Sequence, residues 1–198
     1  MPAKKPLQTD SRVNAGALRA LLPWQARRNH ILNDRKLSVT QSDNEVPPVR
    51  SDKHQALAVF LGRWRAEGDS YGGPRQLVEA PKRAAELWVS THTGKWHTGE
   101  FFLIQDERAA IAGKPFDTLS VMGVDAKTGR YFARTFENHG FYRHYDVVVE
   151  GQIWTVTGET ERARIQFSEG GSTQTITWEW KPANQWLPLC DRIARRED

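Results

Sequence analysis

The stretch that decides the fold is FLGRWRAEG, residues 60–68. Apolar residues in the segment 54–61 favour a short helix, with Asp52 as its N-cap. That pattern stops at Gly62, and the residues that follow favour an extended chain. We therefore predict that a short helix leads directly into a first strand at residues 62–68.

Strand signals continue to the end of the chain. Short segments rich in β-branched and aromatic residues are separated by Gly or polar turns, and several alternate with a period of two. We predict the further strands at residues 86–92, 95–104, 116–125, 131–138, 141–150, 152–159, 162–168 and 173–180. The connections are too short for crossover helices, which excludes parallel βαβ folds. The pattern predicts an all-β protein, either a closed antiparallel barrel or an open sandwich.

Composition limits the class of protein. Eight Trp, eight Phe and four Tyr in 198 residues can build a sizeable core, and one domain plus an extension is the expected organisation. The single cysteine, Cys190, excludes an internal disulfide and a cysteine-based metal cage. No apolar run approaches the roughly 20 residues that span a bilayer, and no apolar stretch follows the basic N-terminus. We therefore expect a cytoplasmic protein that does not enter a membrane.

The positive charge lies in the N-terminal region. Residues 1–53 carry ten Lys or Arg against five Asp or Glu, whereas residues 54–198 carry eighteen against nineteen. A near-neutral second region argues against nucleic acid as a partner. We divide the chain into an extension, residues 1–52, and a barrel domain, residues 53–198. The extension is either a flexible, partly helical tail or an arm that packs on the barrel or on the second subunit of a homodimer. The anchors of such an arm would be Leu18, Leu21, Leu22 and Trp24.

Residues 60–68 resemble the opening strand of lipocalin-like (calycin) barrels. The segment Gly123-Val124-Asp125, placed before a glycine turn and an aromatic strand, is similar to a widespread bacterial domain family of unknown function with that fold. The resemblance covers residues 54–196 and implies a closed up-and-down barrel of about ten strands around a cavity. It also implies that Gly62 and Trp64 form one closed end, where Arg192, Arg195 or Arg196 lies over the indole ring as a cation on a π face.

Nitrobindin, a heme-binding barrel, also opens with a Gly-x-Trp strand and has its proximal histidine near the chain end. Residues 186–192 of this chain contain no histidine, which argues against the same heme site. We expect no cofactor, and we keep a heme-binding or metal-binding barrel as an alternative.

The densest polar cluster is ENHGFYRHY, residues 137–145. In one extended strand, Glu137, His139 and Arg143 would share a face, although Gly140 can reset the register. If that face lines a cavity, arginine supplies a clamp for an anionic group, and histidine or tyrosine supplies a directional hydrogen bond. The alternative is an outer face on which Arg143 pairs with Glu137. We predict the ligand-binding residues His139, Tyr142, Arg143, Trp96 and Glu137.

Other chemistry has weaker support. His92 and His97 flank a predicted turn and could join Glu100 in a metal site, but turn histidines are commonly at the surface. Cys190 has no histidine nearby and is expected to be a buried structural thiol. His139 with Glu137 could act as an acid–base pair in a small cavity enzyme. Trp154, Trp178, Trp180 and Trp186 either fill the barrel or line a pocket.

These observations favour a small-molecule binding protein whose barrel holds a partly apolar ligand. We leave open whether that ligand also carries an anionic group. Catalysis is not indicated.

Overall fold

In the computed structural model, which describes residues 46–197, the chain enters the barrel through a short helix. Helix α1 (Asp52–Ala56) continues as a 3₁₀ turn (Leu57–Phe60), and the N-cap is Ser51 rather than the predicted Asp52. The backbone N–H of Ser51 donates a hydrogen bond to Nδ1 of His54 at 3.1 Å. The helical lead-in before the first strand is therefore confirmed, with its start moved by one residue.

Eleven strands follow the helix. Their bounds are β1 (Gly62–Ser70), β2 (Glu86–Trp96), β3 (Phe102–Ile111), β4 (Lys114–Pro115), β5 (Thr118–Val124), β6 (Tyr131–Glu137), β7 (Tyr142–Glu150), β8 (Ile153–Thr157), β9 (Glu161–Phe167), β10 (Thr173–Trp180) and β11 (Leu187–Glu197).

The strands close into a ring. Ten of them pair antiparallel with their neighbours along the chain, β1 also pairs with β11, and the two-residue β4 lies beside β3 outside the ring. This arrangement confirms the closed antiparallel barrel of ten strands and rules out the open sandwich. Closure leaves no free sheet edge in the ring, so every long strand has two partners.

One predicted hairpin is wrong. Thr93 and Gly94 do not form a turn, because β2 runs through them and the chain reverses at residues 97–101. Gly94 pairs with Gly62 on one side and Gln105 on the other. A Cβ on Gly94 would lie 2.0 Å from the carbonyl oxygen of Phe60. Glycine is needed at this position because β2 and the 3₁₀ turn come so close together.

The 3₁₀ turn plugs one end of the barrel. Its Leu57 and Phe60 are at most 1% exposed, and Phe60 packs edge-to-face on both Trp154 and Phe167. Trp64 is fully buried among them, and its indole N–H donates to the carbonyl oxygen of Phe60 at 3.2 Å. We call these five residues the closed end.

An arginine seals the closed end, and it is Arg196. Its guanidinium lies 4.4 Å from the Trp64 ring, and it also donates to the carbonyl oxygens of Leu61, Val59 (3.0 Å) and Gly171 (3.1 Å). Alternation along β11 turns Arg196 inward and leaves Arg195 exposed. The proposed roles of Arg192 and Arg195 at Trp64 are therefore corrected. Gly62 begins β1 at the same end with a φ of +98°.

The predicted extension, residues 1–52, lies for the most part outside the described residues, and so do the anchors proposed for it. The described residues from Pro47 onward form one compact unit. No helix within residues 46–197 is long and apolar enough to cross a membrane.

Candidate functional site

Many of the side chains that face the barrel interior away from the closed end are polar. We call the opposite end, where residues 71–85, 112–117 and 138–141 connect the strands, the open end. Two rows of neighbouring inward positions are polar. They run obliquely, from His92 opposite Trp64 to Glu137 at the open end, and the row beyond them on the closed-end side is apolar. The polar rows are His92, Glu107, Thr118, Glu137 and Gln105, Ser120, Thr135, Arg143, and the apolar row is Leu103, Met122, Ala133, Tyr145. Directly opposed residues on neighbouring strands lie about 5 Å apart, so each row is a continuous band.

A first group of polar side chains surrounds an ion pair. Arg192 Nη1 donates to Glu107 Oε1 at 2.8 Å, although β1 and β2 separate their two strands. The guanidinium reaches across because Gly68, its partner on β1, has no side chain, and it lies 4.3 Å from the Trp88 ring. Ser90 and His92 are the next inward residues of β2. We call Trp88, Ser90, His92 and Arg192 the donor cluster.

The donor cluster contains unsatisfied polar atoms. Trp88 Nε1, Ser90 Oγ, both ring nitrogens of His92 and Arg192 Nε have no hydrogen-bond partner among the described residues. The four side chains belong to residues that are only 5–9% exposed. An unsatisfied buried polar group costs about 1–3 kcal/mol, so clustered ones require an explanation such as bound water or a ligand.

Electrostatics keeps the ion pair charged. Burial by itself would raise the pKa of Glu107, but the Arg192 guanidinium and then His92 outweigh it, and the pKa is lowered overall. Burial lowers the pKa of His92, which is stacked on Trp64 with 5.9 Å between ring centroids. His92 is therefore a neutral imidazole at neutral pH, with one donor and one acceptor nitrogen.

A second group has an excess of carboxylates. Arg143 lies between Glu161, at 3.2 Å from Nη2, and Glu137, at 3.7 Å from Nε. The hydroxyl of Tyr145 donates to the other Glu161 oxygen at 2.8 Å. We call Glu137, Arg143, Tyr145 and Glu161 the carboxylate cluster. It holds two carboxylates against one guanidinium, and Glu137 has the weaker contact.

Burial raises the pKa of Glu137, with Arg143 acting against that shift and Glu161 adding to it. Burial and the Glu161 carboxylate also raise the pKa of Tyr145, which keeps its phenol protonated. The cluster therefore offers Glu137 as a carboxylate whose charge is only partly compensated.

Two residues of one polar row, Glu107 and Thr118, connect the two clusters. Thr118 lies between Glu107 and Glu137 in the polar row, and its hydroxyl donates to Glu107 at 3.4 Å. The inward side chains of Glu107, Glu161 and Arg143 remain 16%, 16% and 27% exposed, so packing does not enclose them completely. We call the region lined by both clusters and by the two polar rows the polar section.

Aromatic rings partly cover the open end. Phe116, between β4 and β5, packs on Trp88 with 5.5 Å between ring centroids. The His139 ring also packs on Phe116, with 5.5 Å between ring centroids. Trp178 contacts Tyr145 edge-to-face. An apolar ligand body would meet these rings on its way to the polar section.

The five predicted ligand-binding residues do not converge. Glu137 and Arg143 face the interior, but His139 is exposed in the turn between β6 and β7, because Gly140 with a φ of +87° reverses the chain there. Tyr142 lies on the outer surface, 49% exposed and stacked on Phe136. Trp96 lies at the other end of β2, where Arg50 covers its ring at 5.4 Å. The expectation that one strand over residues 137–145 turns His139 inward is therefore wrong, and Tyr142, predicted as a ligand-binding residue, lies outside the barrel.

The structure does not bring together the histidine residues and carboxylates of the alternative acid–base and metal sites. His139 is exposed in the turn after β6 while the Glu137 side chain is only 9% exposed, so the two groups of the proposed acid–base pair do not share a cavity wall. His92 faces the interior, His97 lies in an exposed turn, and Glu100 pairs with Arg50 at 2.6 Å. Within residues 46–197 no group of three or more His, Cys, Asp or Glu residues could hold a metal ion.

Cys190 is buried, and burial raises the pKa of its thiol to about 11. The thiolate that nucleophilic catalysis needs is therefore scarce at neutral pH.

Sequence reasoning missed much of the polar section. Ser90 and His92 alternate with the exposed Val89 and Thr91 on β2, so the strand turns polar residues inward and an apolar one outward. This pattern is the reverse of the usual one in a barrel strand, and it was the sequence signal that could have indicated a polar interior at β2. Glu107 and Glu161 gave no signal, because their partners lie 85 and 18 residues away along the chain.

A separate groove of about 520 Å³ lies outside the closed end, between the start of α1 and two turns. It is mostly apolar, with Phe101, Phe102 and Phe132 in its wall. Its polar groups are already paired, since Asp125 accepts hydrogen bonds from the backbone N–H groups of Lys127 and Thr128. The groove therefore lacks the unsatisfied groups that distinguish the polar section.

The fold and site define a ten-stranded antiparallel barrel with one plugged end and a polar interior section. A family model described as "Protein of unknown function (DUF1579)" matches residues 50–185, and the chain belongs to that family. The S-type phycobiliprotein lyase CPES from Guillardia theta has a similar structure, with a TM-score of 0.52 and 9% sequence identity over 75% of this chain and 94% of that chain. At this identity the similarity concerns the fold alone. No curated protein matches the sequence.

Proposed function

We propose that this protein binds a small, partly apolar organic molecule in the polar section of its barrel. The observation that carries the proposal is the unsatisfied donor cluster, whose five polar atoms lack partners among the described residues. Burying such groups without hydrogen bonds is costly, and a ligand that pairs with them recovers that cost on binding.

The surroundings support the same function. Inward side chains change from polar near the open end to apolar near the closed end, which suits a ligand with a polar group and an apolar body. A ten-stranded barrel is wide enough to hold a small molecule if its interior is not filled. The inward positions Ala66, Ser90, Ala109 and Ala133 carry small side chains, which favours an interior that is not completely filled.

A blocking variant tests the location. Ser120→Trp places a large ring in the polar section, and Leu119→Trp places the same ring on the outer surface one residue earlier. We expect the wild type and Leu119→Trp to bind anilinonaphthalene sulfonate with similar affinity, while Ser120→Trp binds it at least tenfold more weakly. The milder blocker Thr135→Leu should show a smaller loss if Ser120→Trp does not fold.

Mass spectrometry of an organic extract of the native protein would complement the titration. A molecule that co-purifies with the wild type and Leu119→Trp, but not with Ser120→Trp, would identify a ligand. Equal dye binding by all the folded variants would contradict the location.

Heme binding is a second candidate, and one observation favours it. His92 faces the interior with both ring nitrogens free of partners among the described residues. Titration with hemin tests it, because a histidine-bound heme gives a sharp Soret band. We expect that band to vanish in His92→Leu if this candidate holds, and its absence in the wild type would reject it.

A further inference from the structure

Within the proposed binding function, we infer that the polar section recognises a ligand of two different ends: a hydrogen-bond acceptor group that meets the donor cluster, and a cationic or N–H donor group that meets Glu137 in the carboxylate cluster. This inference names the chemical class of the ligand and rests on the proposed function.

The first step concerns the unsatisfied atoms of the donor cluster. Trp88 Nε1 and Arg192 Nε can only donate, neutral His92 has one donor nitrogen, and Ser90 carries a hydroxyl that can donate. Donors therefore exceed acceptors at this place. A carboxylate or carbonyl oxygen accepts several such hydrogen bonds at once, whereas an amine would leave most of them unpaired.

The second step concerns charge. In the donor cluster the Arg192 guanidinium is matched by Glu107 at 2.8 Å, so an acceptor group there meets no excess of negative charge. In the carboxylate cluster Arg143 is shared between Glu137 and Glu161, and its contact with Glu137 is 3.7 Å, longer than a hydrogen bond. The Glu137 side chain is only 9% exposed, and the Arg143 Nε that faces it has no hydrogen-bond partner among the described residues, so no hydrogen bond joins the two groups. An N–H donor or a cation from the ligand would supply the partner that Glu137 lacks.

The third step concerns spacing. His92 of the donor cluster and Glu137 lie three strands apart in one row, with Glu107 and Thr118 between them. Neighbouring strands are about 4.8 Å apart, so the two ends of the site are on the order of 14 Å apart along the sheet at the backbone, and closer across the curved barrel between the side-chain tips. A ligand with one aromatic ring between its two polar groups fits such a separation, and its ring would lie among Trp88, Phe116 and Trp178.

Three probes of similar shape separate the two ends. Para-(aminomethyl)benzoate carries both groups, para-ethylbenzoate carries the acceptor alone, and para-methylbenzylamine carries the cation alone. Affinities for the full-length protein would be measured by calorimetry and by tryptophan fluorescence. Because a hydrogen bond to a charged group contributes about 1.5–3 kcal/mol, we expect the first compound to bind at least tenfold more tightly than either of the others.

Variants assign each end. Glu137→Gln should weaken the amine-bearing probes about tenfold and leave para-ethylbenzoate unchanged, whereas Ser90→Ala and Trp88→Phe should weaken the two carboxylate probes and spare para-methylbenzylamine. Asp146→Asn and Thr91→Ala are matched controls, since both residues are exposed on the outer faces of β7 and β2. Neither control should change any affinity.

The inference is overturned if the three probes bind with equal affinity, if none binds, or if Glu137→Gln weakens the carboxylate probes as much as the amines. If the three probes bind with equal affinity and Ser120→Trp still blocks their binding, this inference fails but the proposed function stands. Loss of both the probe preference and the Ser120→Trp effect would overturn the two together.

Discussion

The closed end and the polar section of the barrel differ in how their polar groups are paired. At the closed end the indole N–H of Trp64 donates to the 3₁₀ turn, and Arg196 donates to three backbone carbonyls. In the polar section the donor cluster leaves five polar atoms without partners among the described residues, and Glu137 is only partly compensated. Both regions stack an arginine on a tryptophan, Arg196 on Trp64 and Arg192 on Trp88, at 4.4 and 4.3 Å.

This difference separates stability from function within one barrel. Close packing around Trp64 and the hydrogen bonds of Arg196 contribute to the folded state, whereas unpaired polar atoms cost stability and are retained where binding uses them. Substitutions at the closed end should therefore change unfolding, and those in the polar section should change recognition.

The largest effect is expected for Trp64→Ala. Removing a fully buried tryptophan should lower the free energy of unfolding by about 3–5 kcal/mol, because the packing is lost and a cavity remains. Chemical denaturation would measure the loss. Trp186→Ala at the open end, where Arg162 lies over a partly exposed ring, is the comparison and should cost much less. Equal losses for the two variants would contradict the role of the closed end.

The next effect concerns the arginine that seals the closed end. Arg196→Ala should cost about 2–3 kcal/mol, since three carbonyl oxygens lose a charged donor and the ring loses its cation. Arg195→Ala, one residue earlier and exposed, should stay within about 0.5 kcal/mol of the wild type. Thermal and denaturant unfolding of the pair would check this. A larger loss for Arg195→Ala would refute the assignment of Arg196.

A smaller loss is expected for Glu107→Gln. It leaves Arg192 buried with a weaker partner, which should cost about 2 kcal/mol at neutral pH. Because the pKa of Glu107 is lowered on folding, its contribution is present above the ordinary value of 4.5 and is lost as the pH falls through the folded value. The difference between wild type and variant should therefore shrink in acid. Asp106→Asn, exposed on the same strand, is the control, and a pH-independent difference would contradict the ion-pair account.

Glu137→Gln should have the opposite sign. Since burial raises the pKa of Glu137, its ionised form costs stability above the folded pKa, and the cost disappears below the ordinary value of 4.5. The variant should be as stable as the wild type or more stable by up to about 1 kcal/mol at neutral pH, with no difference in acid. Unfolding curves at both pH values would measure it. A clear destabilisation at neutral pH would show that Glu137 supports the fold.

The sequence was informative about the barrel because its signals are local. Alternation, the glycine-rich turns and the Gly-x-Trp strand each act within a few residues, and together they predicted a closed barrel with Trp64 buried. The errors are also local in origin. Thr93-Gly94 has the composition of a turn, but Gly94 is needed for a close contact with Phe60, which only the folded structure brings near.

The site was less predictable because it depends on distant contacts. Glu137 and Arg143 were selected as a pair on one strand, yet they lie on two strands joined by a turn that exposes His139. Arg192 was assigned to the wrong tryptophan, since the bend of β11 around the barrel decides which ring each inward arginine meets. The donor cluster combines residues of β2 with Arg192 of β11, and no spacing in the sequence relates them.

The most direct test of binding in the polar section follows the indole N–H signals of the eight tryptophans by NMR during titration with para-(aminomethyl)benzoate. Trp88→Phe, Trp64→Phe and Trp154→Phe would assign the signals that matter. The account predicts that Trp88 and Trp178 shift with a common dissociation constant, while Trp154 at the closed end stays in place. A shift at Trp154 without a shift at Trp88 would contradict it.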